Sequence, residues 1–312
     1  MIEQLVHNTL TARGFELQYR WNTLQPEWAP TGWPLALPSV NWTDHTRLVL
    51  HFQDRITPTD SGCKELDAIE KFYGPNSKKV IVVYYSHGLD KIYQGPIQLV
   101  NFSTHNWLTI TDLLKIKDQW INALDQPKTK PWQCLNGRTC EHRYKVANLL
   151  KTWPNGTLSY GTEIPLSAWD YGTYKGTENY ENFIRLLPVY QHTAVNIVTE
   201  TDYHHRPGVI CEKTLYAFVA KQIPVIIGHP GAVQDARDLG FDTFDDLVDT
   251  SYDWLPNETR AEQALTLNQD LILGFKDLSL YQSRIDANQQ HALTKLLDQM
   301  IACAQQDLDK VF

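Results

Sequence analysis

Residues 196–253, NIVTETDYHHRPGVICEKTLYAFVAKQIPVIIGHPGAVQDARDLGFDTFDDLVDTSYD, alternate strand and helix signals, and their reading decides the fold. Val195–Val198 is a short apolar run that exits through Thr199 and Glu200. Glu212 and Lys213 open a helix whose Leu215, Phe218 and Val219 recur at i, i+3 and i+4. Pro224–Gly228 (PVIIG) has the β-branched character of a buried strand. His229-Pro-Gly231 then turns the chain into a second helix, which Gly240 closes in a left-handed position. This order gathers polar residues where strands end and helices begin, the edge at which open α/β sheets bind ligands.

Several ordered motifs in this region carry a family resemblance. Glu212-Lys213-Thr214 and its helix, Pro-Val-Ile-Ile-Gly at 224–228, Leu239-Gly-Phe-Asp-Thr-Phe244 and Asp249-Thr-Ser-Tyr-Asp253 resemble the nucleotide-sugar half of fucosyltransferase-like glycosyltransferases. The likeness is greatest to the short enzymes of that type in phages, large viruses and bacteria. Cys134-Leu-Asn-Gly-Arg-Thr-Cys-Glu-His-Arg143 resembles the segment that opens the same domain. The resemblance covers roughly the second half of the chain and implies a GT-B-like α/β protein, with two Rossmann-like domains facing across a cleft.

Outside this region the chain also alternates strands with helices. Arg47–Phe52, Lys79–Tyr85 and Pro96–Phe102 read as strands, with helices expected over Ser61–Tyr73 and Ile110–Leu124. Residues 1 to about 45 are rich in Trp (Trp21, Trp28, Trp33, Trp42) with weak periodicity. They read as an irregular layer on the core, or as an aromatic lining for an acceptor. Asp125–Pro131 has linker composition, and 156–182 shows little regular signal. Asn257 is expected to cap a helix through Ala264, and 285–308 to form an amphipathic helix with Leu293, Leu296, Leu297, Met300 and Ile301 inward. The expected organisation is residues 1–127 as an acceptor-side domain, 128–284 as a nucleotide-sugar domain, and 285–312 as a terminal helix.

At 312 residues, 42% apolar and 21% charged, the composition is that of an ordinary globular chain with room for two α/β domains. A net charge of −8 disfavours a surface given over to DNA, while leaving room for a local basic groove. Five irregularly placed cysteines read as reduced thiols, and no signal peptide or membrane span is evident, so a cytoplasmic location is expected, the host cytoplasm if the protein is viral.

A nucleotide-sugar enzyme must hold a ribose, neutralise a leaving diphosphate and deprotonate an acceptor hydroxyl. Glu212, at a helix start, suits the ribose, and equally suits a helix cap paired with Lys213. Lys213 and either Arg138 or Arg143 suit the diphosphate, because fixed cations and helix N-termini stabilise the charge of the leaving group. The resemblance carries donor contacts onto the same residues. Asn136, Glu200, Tyr203 and Thr214 are further donor-side candidates near the same strand ends. For the general base the candidates are His87 and Asp90, after the strongest strand of the first half, and Asp54.

No metal or other cofactor is expected. The one Asp-x-Asp, Asp307-Leu-Asp309, lies in the last helix and not after a strand. Transfer from a GDP- or UDP-linked sugar to a glycan, a protein or a hydroxylated base, most simply with inversion, is the expectation. The alternatives are a non-catalytic nucleotide- or glycan-binding protein, and a hydrolase, against which the lack of Gly-x-Ser-x-Gly counts.

Overall fold

The computed structural model describes residues 2–14, 16–24, 37, 39–52, 60–84, 93–102, 104–161, 163–164, 179–204, 210–274 and 278–311. It is a mixed α/β protein with two parallel sheets and a long C-terminal helix. Residues before Leu108 and after Leu297 form one compact unit, and the described residues between them form the other. Among the described residues no helix is long and apolar enough to cross a membrane.

The first unit has strands β1 (Glu16–Leu24), β2 (Thr46–Phe52), β3 (Val80–Tyr84) and β4 (Gln98–Asn101), parallel and in chain order across the sheet. Every residue of β3 is buried, the pattern of a parallel strand covered on both faces. Leu48, Leu50, Val80 and Val82 pack with Leu66, Ile69 and Tyr73 of the Asp60–Tyr73 helix. The first residues are more regular than their weak periodicity suggests. A helix covers Ile2–Ala12, with Val6 and Leu10 buried one turn apart, and β1 follows it. The alternation of Leu17, Tyr19 and Trp21 was the available signal for β1. Trp42 packs edge-on to Tyr73 at 5.4 Å, so this indole belongs to the core. The side chains of Trp21, Trp28 and Trp33 lie outside the described residues.

The terminal helix runs through Gln282–Gln290, a π-helical turn at His291–Lys295, and Leu296–Val311. Leu293, Leu296 and Met300 are buried as expected, and Leu297 and Ile301 are half-buried. In the Asp-x-Asp, Asp307 accepts the Asn101 N–H at 3.2 Å and Asp309 pairs with Arg13 at 2.6 Å.

The second unit has β5 (Lys130–Asn136), β6 (Thr157–Tyr160), β7 (Thr193–Thr199) and β8 (Ile223–Ile227), all parallel in the order β6-β5-β7-β8. The connection after β5 leads to one side of the sheet and that after β7 to the other, so the order reverses between these two strands. β6 falls in the stretch read as irregular. It is only four residues, Thr-Leu-Ser-Tyr, at a sheet edge, too short to show a period. Gly240 has φ 87° and closes the Ala232–Asp238 helix with Phe241 N–H to Ala236 O (3.1 Å) and Gly240 N–H to Arg237 O (2.8 Å), as read from the sequence.

Two expectations are corrected here. The helix read as Ile110–Leu124 is Thr104–Lys115 followed by 3₁₀ turns, because buried Trp120 folds back to donate its indole N–H to Leu113 O at 3.0 Å. The linker-like Asp125–Pro131 is tied into the second unit: Lys128 donates to Tyr190 O and Ala220 O, both at 3.0 Å, and Asp125 pairs with Lys221.

Candidate functional site

β5 and β7 end beside one another at the reversal of strand order, and most donor-side candidates lie at those ends. Asn136 is the last residue of β5 and is buried. Its Oδ1 accepts the Thr199 hydroxyl from the end of β7, and its Nδ2 donates to Cys134 Sγ at 3.2 Å. Its side chain therefore stitches the two strands together.

Glu200, 1% exposed, is turned inward. Its carboxylate accepts the Cys211 N–H at 2.8 Å and the Thr214 hydroxyl, both at the start of the Glu212–Val219 helix. Cys211 at the N-cap position makes no side-chain cap of its own, so Glu200 caps the helix from the neighbouring strand end. Gly228, after β8, makes room for it: a Cβ there would fall 2.8 Å from Glu200 Cγ. Thr214 is fully buried in this arrangement.

Arg143 is also buried, on the first turn of the Glu141–Leu150 helix. Its guanidinium donates to the main-chain carbonyls of Thr199 (3.3 Å), Glu200 (3.2 Å) and Arg138 (3.5 Å), while Nε has no hydrogen-bond partner. Tyr203 is 4% exposed and donates its hydroxyl to Asn257 O at 2.7 Å.

Three candidates have access to solvent. Arg138 is exposed on the loop after β5. Glu212 and Lys213 form an ion pair at 2.8 Å with side chains 23% and 24% exposed, and Lys213 also donates to Thr201 Oγ1 at 3.3 Å. This edge thus offers two cations and a carboxylate beside a helix N-terminus, a combination suited to an anionic ligand carrying hydroxyls. Asp54, His87 and Asp90 lie outside the described residues.

No family model matches the chain, and no curated protein matches it in sequence.

Three polar side chains that organise this edge were not singled out from the sequence. Arg260, fully buried, donates to Gly228 O (2.8 Å), Leu255 O (2.6 Å) and Tyr203 O (2.6 Å), gathering loops that follow β7 and β8. Asn257 Oδ1 accepts from the same guanidinium at 2.6 Å, so Asn257 is not the expected cap; Pro256 holds that position. Asp253 accepts the Val233 and Gln234 N–H groups at 3.0 and 3.2 Å and so caps the Ala232–Asp238 helix. His142 donates from Nε2 to Glu200 O at 3.0 Å, and its ring stacks on Tyr203 at 4.6 Å. Burial pulls His142 down to about 4; the hydrogen bond to Glu200 opposes this, and nearby Arg143 reinforces it. A signal existed for two of them. His142 shares a buried stripe with Val146 and Leu150, and Arg260 with Ala264, positions where a sequence pattern expects apolar residues.

Proposed function

We propose that this protein is a glycosyltransferase that moves a sugar from a nucleotide diphosphate to a hydroxyl acceptor, with the donor at the carboxyl edge of the second sheet. In this reading the two units are the Rossmann-like halves of a GT-B-like enzyme. The observation that carries it is the placement of exposed Arg138 and partly exposed Lys213 and Glu212 around one strand-order reversal. Arg138 and Lys213 would meet the departing diphosphate, and Glu212 the ribose hydroxyls. Asn136, Arg143, Glu200 and Thr214 would hold the frame without touching the donor, since each is engaged inside the unit. Transfer would be inverting and metal-independent, with Asp54, His87 or Asp90 as base and a glycan, protein or hydroxylated base as acceptor.

Release of nucleoside diphosphate from GDP- and UDP-sugars in EDTA tests this reading. Turnover that falls at least about tenfold in Arg138→Ala supports it. Absence of turnover with every donor, alongside retained nucleotide binding, would favour a non-catalytic nucleotide-binding protein. That second reading draws on one observation: Lys213 is already neutralised by Glu212 at 2.8 Å, as in a merely structural pair.

A further inference from the structure

His142 lies between the exit of β5 and the exit of β7. Its Nε2–H reaches the Glu200 carbonyl, which also accepts from Arg143. Its Nδ1 faces Cys140 Sγ at 3.5 Å, and its ring lies parallel to Tyr203. The Tyr203 ring in turn carries the Arg260 guanidinium 4.6 Å from its centroid, and Arg260 holds the loop after β8. The imidazole is therefore the piece between the β5 exit, the β7 exit and the helix that begins at Asn257.

We propose that neutral His142 is a positioning residue of this edge, beside Asn136 and Arg143, and that its protonation loosens the exit loops of β5 and β7 from one another. The surroundings favour one protonation state. Among the described residues the acceptor offered to a second N–H, on Nδ1, is the Cys140 thiol sulfur, which also lies 3.8 Å from Nε2. The charged groups facing it are chiefly cations: Arg143 from its own helix, Lys213 from the Glu212–Val219 helix, and His204 from the β7 exit when protonated. Arg260 from the Asn257–Leu267 helix lies beyond Tyr203. The Glu200 carboxylate is turned away to Cys211 and Thr214, and Glu141 is paired with Lys145 at 2.9 Å. An imidazolium here would face these cations at close range, and the depressed basicity of the ring agrees with that geometry.

Hydrogen exchange of the whole protein at pH 7 and pH 5, corrected for intrinsic rates, tests the proposal. Segments 136–140 and 200–204 should exchange about tenfold or more faster at pH 5, the ratio that follows when an ordinary histidine is recovered on opening. His142→Gln, which keeps a donor for Glu200 and does not titrate, should lose that response. Equal exchange at both pH values in the wild type, or an unchanged acid response in the variant, overturns the proposal. Should His142→Gln fail to fold, the wild-type C2-proton titration decides. A midpoint well below the ordinary histidine range supports the proposal, and a midpoint within that range overturns it.

A consequence for nucleotide binding rests on the glycosyltransferase reading. GDP or UDP should bind more weakly at pH 5 than at pH 7 in the wild type and equally in His142→Gln. If neither nucleotide binds at any pH while the exchange responds as stated, His142 keeps its positioning role and the donor-site reading falls.

Discussion

Arg143 Nη2 donates to the main-chain carbonyl of Glu200 at 3.2 Å. Among the described residues no carboxylate pairs with this buried guanidinium, which is held by peptide dipoles at the ends of β5 and β7. Arg143→Ala should therefore lower stability by about 2–4 kcal/mol, through unsatisfied carbonyls and a cavity. Arg143→Lys should recover less than half, since an ammonium cannot reproduce the fork. Exposed Arg138→Ala should stay within about 0.5 kcal/mol of wild type and yet weaken nucleotide binding. Urea unfolding of the three variants, set beside nucleotide titration, separates frame from contact.

Gly228→Ala tests the close approach that seats Glu200. The added Cβ would fall 2.8 Å from Glu200 Cγ and 2.9 Å from Ala232 Cβ, so it must push the strand end or the following helix. A loss of about 1–3 kcal/mol is expected in urea unfolding, the range for overpacking. A neutral substitution would mean that Glu200 can withdraw from the helix it caps.

Lys221 has φ 56° just beyond the Glu212–Val219 helix, where glycine is the usual residue, and it pairs with Asp125 at 2.5 Å and Asp286 at 3.0 Å. Both Lys221→Ala and Lys221→Gly lose the ion pairs, but only the second relieves the left-handed backbone. Thermal melts should place the glycine variant above the alanine variant by about 1 kcal/mol.

Acid should erase one ion-pair network in a defined direction. Arg284 grips Asp242 through two bonds (2.6 and 2.8 Å) and Asp246 through two more (2.7 and 2.9 Å). The hydrogen bond from Arg284 holds Asp242 below the usual carboxylate range. A carboxylate whose folded pKa is depressed stabilises above its unfolded pKa and loses that contribution as pH falls through the folded value. Arg284→Ala should thus cost about 1 kcal/mol at pH 7, allowing for partial exposure, and nearly nothing at pH 2. Denaturation curves at the two pH values check this.

Periodicity made the fold legible where strands are fully buried. Val80–Tyr84, Thr193–Thr199 and Ile223–Ile227 announce themselves as β-branched runs because both faces of a parallel sheet are covered. β6 did not, since four residues at an edge show no period. The turn at Trp120 was hidden because apolar residues continue on helical spacing beyond Lys115, and only the indole bond to Leu113 shows that the helix has stopped. At the proposed site, the sequence placed the candidates near strand ends but could not say which polar side chains face inward. Glu200 and Arg138 both follow a strand, yet one is buried and the other exposed. That difference depends on partners distant in sequence, such as Cys211 and Thr214, and on the small size of Gly228.

The most direct test of the account is a thermal-shift panel of UDP, GDP, CDP and ADP with their sugar conjugates, in the presence and absence of EDTA. One nucleotide should raise the melting temperature selectively, the shift should survive EDTA, and Glu212→Ala and Arg138→Ala should each diminish it while folding normally. No shift with any nucleotide, or a shift unchanged in both variants, would contradict a donor site at the carboxyl edge of the second sheet.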